Sequence, residues 1–361
     1  MNLQSGQLLT LEKSHPKFTE FLEGTFSDEF SAIPLETLNA NQTNEIVTFK
    51  ILKKSEIEKP SALVVWLKAL RLRSFIIVIF PLFLVLVKNS VDKVILDPWL
   101  VLFAVLGVLT LFASVSLQND YQDHMLGIDR INPESGSRVL QKAWLTAYQV
   151  KLASRLFLIL ALICGLPLIF VFPKLVIVSF LTAVIGGWAL FQKNGGFKNF
   201  EGGELLLGFL VGPLLSSGLD IALTSRLKLE TLFLGTIWGG LILFPLHLTN
   251  LENIMMNSKA QLTNMIAVRG FDKGRRFVHR WWLGTLTLFI IYHFLFSGKF
   301  WTWFWGLSLV FISMRFSMKL LSLTSPIGSE LGRVKKRGQY LFLITCFFWT
   351  FECLWILIEP L

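Results

Sequence analysis

Residues 99–117 read WLVLFAVLGVLTLFASVSL, nineteen positions without a charge, and the polar run NDYQDHMLGID follows almost at once at 119–129. One helix needs about 20 apolar residues to cross a hydrocarbon core of about 30 Å. The run lacks the alternation of a barrel strand, and a backbone in lipid must satisfy its own hydrogen bonds, so a helix is the remaining choice. Working outward, similar runs recur at 63–87, 152–172, 175–191, 205–219, 231–248, 282–296, 300–321 and 340–358. The run 205–219 is short and rich in glycine. The expectation is an all-α membrane protein with nine transmembrane helices.

Composition agrees. Of 361 residues, 53% are hydrophobic and only 16% charged, against roughly 25% in an ordinary soluble domain. The net charge is +10, and because the first 60 residues hold 6 Lys and 9 acids, the rest carries +13. Residues 1–60 are thus a polar, mildly acidic extension and 61–361 the membrane domain. The extension lacks the basic stretch and apolar core of a cleaved signal. Within it 46–52 (IVTFKIL) fits a short strand and 39–44 a loop, so a small appended fold and a partly ordered tail are both open. Cys164, Cys346 and Cys353 lie in apolar runs without CxxC spacing, which argues against a disulfide scaffold or thiolate metal site. Loops after the even-numbered spans hold 19 basic residues and the others 6. That asymmetry puts the N-terminus in the cytoplasm and the C-terminus outside, across the inner membrane if the source is bacterial. Basic charge on membrane-flanking loops gives nucleic-acid binding little support.

Just past the second span stand Asn119, Asp120, Asp123 and, one turn on, Asp129. If the helix continues, the first three project to one side. Clustered carboxylates repel unless a cation neutralises them, and oxygen ligands of this kind suit Mg²⁺, which keeps waters and bridges to phosphates. The acidic start of a solvated loop is the plain alternative.

This run resembles the first aspartate motif of the UbiA superfamily of intramembrane prenyltransferases, NDxxD with a further Asp. Its NDYxDxxxGxD form is similar to the 1,4-dihydroxy-2-naphthoate polyprenyltransferase branch. The likeness continues through Ser135 to Lys142, Leu145 and Thr146, and takes in 66–74 (WLKALRLRS), 202–212 around Glu204 and 267–270 (AVRG). The resemblance implies a nine-helix UbiA-type bundle with a cytoplasmic-side cap over the active site. It further implies Mg²⁺-dependent transfer of a polyprenyl group from its diphosphate to an aromatic acceptor, of the kind used in quinone and menaquinone biosynthesis. Asn119, Asp120, Asp123 and Asp129 would then be metal ligands. Arg138 and Lys142 would contact the diphosphate, although topology-setting loop charge also explains them. Lys193 and Lys198 could each reach a phosphate, or could be solvated loop charges.

The chain departs from the family at the second motif, commonly NNxRDxxxD in this branch. Residues 249–257 read TNLENIMMN, with asparagines for both aspartates and Glu252 where an Arg is usual. Asn250, Asn253 and Asn257 fall on one helical face as substrate-binding candidates, and His247 extends the stripe by a turn. A neutral amide offers an oxygen without a charge, so a second Mg²⁺ should bind more weakly, and interhelical hydrogen bonding is the alternative role. The rival readings are a catalytically silent relative that binds isoprenoid or quinone ligands, and a prenyltransferase with a different acceptor.

Overall fold

A computed structural model describes residues 4–40, 42–132, 136–191, 196–296 and 300–358. Residues 8–53 build a three-stranded antiparallel sheet in the order β1-β3-β2, from β1 (Leu8–Glu12), β2 (Phe30–Leu38) and β3 (Ile46–Lys53). Helix α1 (Phe18–Glu23) lies between β1 and β2 in the chain. In β3 every second residue turns inward, so Val47, Phe49 and Ile51 are fully buried, as the two-residue period of a half-buried strand requires. They pack with Leu11, Phe18, Phe21 and Leu22, and Met125 of the membrane domain joins that core. The extension is therefore a small fold with its own apolar centre. Its central strand coincides with the expected one.

The first expected span, 63–87, is corrected. The chain forms α2 (Ala62–Ala69), breaks at Arg71 with a left-handed φ of 51°, makes a tight turn over Leu72–Phe75, and only then enters α3 (Ile76–Val91). The charges of Lys68, Arg71 and Arg73 favour the membrane surface over its interior, which is why the apolar stretch does not continue as one helix.

Helix α4 (Pro98–Met125) begins with the Asp97 carboxylate accepting from the Trp99 N–H at 2.8 Å and Pro98 in the first turn, a standard start signal. It runs past Leu117 to Met125, so Asn119, Asp120 and Asp123 stand on the helix. The short α5 (Ile128–Ile131) follows. Helix α6 (Ala147–Val171) starts at a reciprocal capping box between Thr146 and Gln149 and lies along α4. Then come α7 (Leu175–Phe191), α8 (Gly203–Phe209), α9 (Leu215–Thr224), α10 (Leu229–Glu252), α11 (Ile254–Lys259), α12 (Met265–Phe296), α13 (Phe300–Leu321) and α14 (Ser329–Ile358). A wide turn over Leu210–Leu214, with Pro213 inside it, joins α8 to α9. Gly270, at φ 69°, kinks the start of α12.

Six of the described helical segments are long and apolar enough to cross a bilayer: 72–91, 98–125, 147–171, 203–224, 229–252 and 304–321. The chain is a multi-pass membrane protein. The other three expected runs fall on α7, a shorter apolar helix over 175–188, and on α12 and α14. Aromatic rings fill the centre, with Phe80 stacked on Trp238 at 4.6 Å and Phe244 against Trp282 at 4.4 Å. Small residues close the joint between α8–α9 and α10: a Cβ on Gly239 would sit 2.4 Å from the Gly208 carbonyl oxygen, the small-residue packing typical of membrane helices.

Candidate active site

The last two turns of α4 carry the acids. Asp120 is 2% exposed, Asp123 and His124 are buried, and Asp129 returns to 2% exposed. Gly127, at φ 78°, supplies the left-handed turn that reverses the chain between α4 and α5, a conformation glycine adopts without strain.

Each acid is met by a partner from a different part of the chain. Arg71, placed by the break before α3, pairs through Nη2 with Asp120 Oδ1. Lys198, in the turn after α7, pairs with Asp123 Oδ1, whose Oδ2 accepts from the Asn119 amide at 3.0 Å. Gln141 donates to Asp129 Oδ2 at 2.6 Å. The loop tightens around these groups at Gly136, φ 71°, where a Cβ would lie 2.9 Å from Arg71 Nη2 and 3.3 Å from Asp129 Oδ1. The structure thus brings Asn119, Asp120, Asp123, Asp129 and Lys198 into one cluster and adds Arg71.

Asp120 Oδ2 is buried and has no hydrogen-bond partner among the described residues. A buried carboxylate oxygen without a partner is costly, and a cation would satisfy it. No three His, Cys, Asp or Glu side chains among the described residues converge tightly enough to hold a metal by themselves. Mg²⁺ does not demand that, since one or two carboxylates, waters and substrate phosphates complete its shell. The all-oxygen donor set therefore fits Mg²⁺ shared with a phosphate better than a closed protein cage.

Arg138 and Lys142 are exposed. The Lys142 ammonium lies 4.7 Å from the Trp144 ring centre, and Lys68 lies at the same distance over that ring. Lys193 lies outside the described residues.

The second motif is arranged around Glu204. This carboxylate, 3% exposed, accepts from the Asn250 amide at 3.2 Å and from the Met265 N–H at 3.1 Å. Asn257 donates weakly to the Asn250 carbonyl at 3.5 Å. The single helical face expected for Asn250, Asn253 and Asn257 is interrupted, because α10 ends at Glu252 and Asn253 sits at the junction with α11. Glu252 turns to α14, paired with Lys335. His247 is fully buried, with Phe277 and Trp281 edge-on to its ring at 5.2 Å. A separate apolar cavity of about 710 Å³, lined by Leu205, Gly239, Trp281 and Gly284 among others, holds none of the acids.

Arg71 is the site residue the sequence reasoning did not single out. It lies 49 positions from Asp120, and its only local sign is a pair of arginines flanking an apolar run.

No family model matches the chain, and no curated protein does. Solved structures do. A digeranylgeranylglyceryl phosphate synthase is 18% identical with a TM-score of 0.58, over 81% of this chain and 98% of its own. A UbiA homolog from Archaeoglobus fulgidus bound to DMAPP and Mg²⁺ is 14% identical with a TM-score of 0.54, over 77% and 99%. A UbiA homolog from the same organism bound to GPP and Mg²⁺ is 12% identical at 0.53, over 78% and 97%. At these identities the likeness shows a shared fold.

Proposed function

We propose that this chain, built on the UbiA fold, is a Mg²⁺-dependent intramembrane prenyltransferase that moves a polyprenyl group from its diphosphate to an aromatic acceptor resembling 1,4-dihydroxy-2-naphthoate. The observation that carries the reading is the buried cluster of Asp120, Asp123 and Asp129 at the end of an apolar span, met by Arg71 and Lys198 and holding an unpartnered carboxylate oxygen. Burying three acids there costs far more than a solvated loop would, so a cation is the economical explanation. The solved relatives with bound prenyl diphosphate and Mg²⁺ support it.

In this reading Asn119, Asp120, Asp123 and Asp129 hold Mg²⁺. The bound ion would neutralise the diphosphate charge that grows as the allylic C–O bond breaks. Arg71 and Lys198, paired with Asp120 and Asp123, would supply positive charge to the diphosphate beside the ion. Arg138 and Lys142, both exposed, would contact the diphosphate as it enters, and Lys193 is a further candidate for that contact by its place in the sequence. Asn250, Asn253 and Asn257 hold the far side of the substrate through neutral amides, with Glu204 fixing Asn250. Aromatic and apolar side chains exclude water from the allylic cation and stabilise it through their ring faces. The topology of this reading has nine spans, with α7, α12 and α14 joining the six, a cytoplasmic N-terminus and cap, and the C-terminus outside.

The test is release of diphosphate by purified protein in liposomes given labelled polyprenyl diphosphate, Mg²⁺ and either dihydroxynaphthoate or a glyceryl phosphate lipid. Asp120→Asn and Asp123→Asn should each lower turnover at least about 100-fold, a loss within the range for removing one electrostatic group. Unchanged turnover in both variants would overturn the metal assignment. Prenylation of the glyceryl lipid alone would favour the second reading, for which the likeness to the digeranylgeranylglyceryl phosphate synthase speaks.

A further inference from the structure

The end of α4 has two faces. Asn119, Asp120 and Asp123 lie on one, while Tyr121 and His124 meet α1 of the N-terminal fold and Met125 its apolar core. Tyr121 donates to Glu23 at 2.8 Å, and Lys151 of α6 donates to the same carboxylate at 2.8 Å. The His124 Nε2 lies 3.0 Å from the Leu22 carbonyl oxygen. Met125 packs into the sheet's apolar core.

The turn beyond is gripped as well. Arg130 and Glu45 form an ion pair at 2.5 Å, with side chains 1% and 0% exposed. Glu45 is held in turn by Thr37 of β2 at 3.1 Å and by Lys13 at 3.4 Å. Through Nη1, Arg130 donates to the His124 carbonyl at 2.7 Å, at the C-terminal end of α4. A Cβ on Gly127 would lie 2.6 Å from Arg130 Nη2 and 3.0 Å from Glu45 Oε1, so the pair seals the turn between Asp123 and Asp129. Acids near a helix C-terminus face its negative end and one another, so without a cation this segment tends to splay. Arg130 places positive charge at that end and is the chain neighbour of Asp129.

We propose that the N-terminal sheet clamps the back of the acidic motif, and that Glu45, acting through Arg130, is a positioning residue for cation binding at Asp120, Asp123 and Asp129. This rests on the metal reading given above. A motif held in its bound arrangement does not spend binding free energy on ordering itself. Cutting the clamp therefore weakens cation affinity and leaves the chemistry intact once the site is filled.

The experiment is Mn²⁺ binding, followed by electron paramagnetic resonance, to the full-length protein in nanodiscs without prenyl diphosphate, alongside the Mg²⁺ dependence of diphosphate release. Glu45→Gln should raise the Mn²⁺ dissociation constant and the half-saturating Mg²⁺ about tenfold, with turnover at saturating Mg²⁺ unchanged. Tyr121→Phe removes one hydroxyl and keeps the ring, so it folds even if Glu45→Gln does not, and it should raise both constants two- to threefold. Glu36→Gln, on the exposed side of β2, should change neither. Wild-type constants in Glu45→Gln, or in Tyr121→Phe where Glu45→Gln does not accumulate, would overturn the clamp and leave the transferase reading standing. Weakened Mn²⁺ binding in a protein that releases no diphosphate would sink the transferase reading and leave the clamp.

Discussion

Arg71 shows how one side chain ties backbone to site. Its φ of 51° is a conformation that costs a non-glycine residue on the order of 1 kcal/mol, and the pairing with buried Asp120 offsets it. Removing the guanidinium leaves that carboxylate without its cation in a low-dielectric place, a change of the kind that typically costs about 3–5 kcal/mol for a buried pair. Arg71→Gln should therefore lower the thermal midpoint in detergent and cut diphosphate release more than about tenfold. Added Mg²⁺ should restore part of the midpoint, because the ion takes over the carboxylate; a midpoint insensitive to both changes would count against the pairing. The acids themselves were legible, since Asn119, Asp120 and Asp123 share a helical side by spacing alone. Their partners were not: Lys198 stands 75 positions from Asp123, and no local pattern states which cation crosses such a distance.

At the level of elements, glycines divide into those the packing needs and those it does not. Gly239 meets the backbone of Gly208, whereas a Cβ on Gly284, inside α12, would meet nothing within 4 Å. Gly239→Ala should force α8 and α10 apart and lower the thermal midpoint clearly. Gly284→Ala should be neutral or raise it, since alanine is favoured over glycine in a helix by about 1 kcal/mol. Both are read by a thermal melt of the purified variants. Apolar runs located most helices, because length and composition act within one segment. They failed at residues 63–87, where the same greasy letters divide at Arg71 into a short helix and a span. Strand β3 was legible from IVTFKIL. Its neighbours were not, because β1 is only 5 residues long and β2 contains Pro34, which suits an edge strand and weakens the sequence signal.

For the whole molecule, the junction between sheet and bundle is partly electrostatic and so depends on pH. Burial pushes the Glu23 carboxyl up, but hydrogen bonds from Lys151 and Tyr121 and the charges of Lys151 and Arg155 outweigh it and hold it below its ordinary value of 4.5. A depressed carboxyl contributes stability that is present above 4.5 and is lost as pH falls through its lower value in the folded state. Hydrogen exchange of residues 18–23 should therefore accelerate below about pH 4.5, beyond the intrinsic pH effect on exchange. In Glu23→Gln that extra acceleration should be absent, and an identical acid response in both proteins would argue against the junction.

The sheet is built entirely from residues 8–53, all of which precede the span 72–91 in the chain. Its contacts on the bundle, Tyr121, His124, Arg130 and Lys151, are complete only once the second span and the start of the third have been translated. N-terminal units generally fold first during synthesis. The N-terminal fold can then dock only on a bundle in which α4 and α6 already lie side by side, since its contacts fall on both. Its arrival is a late step of biogenesis that rewards correct insertion, and a nascent chain with a reversed hairpin would leave the sheet unmoored and open to proteolysis.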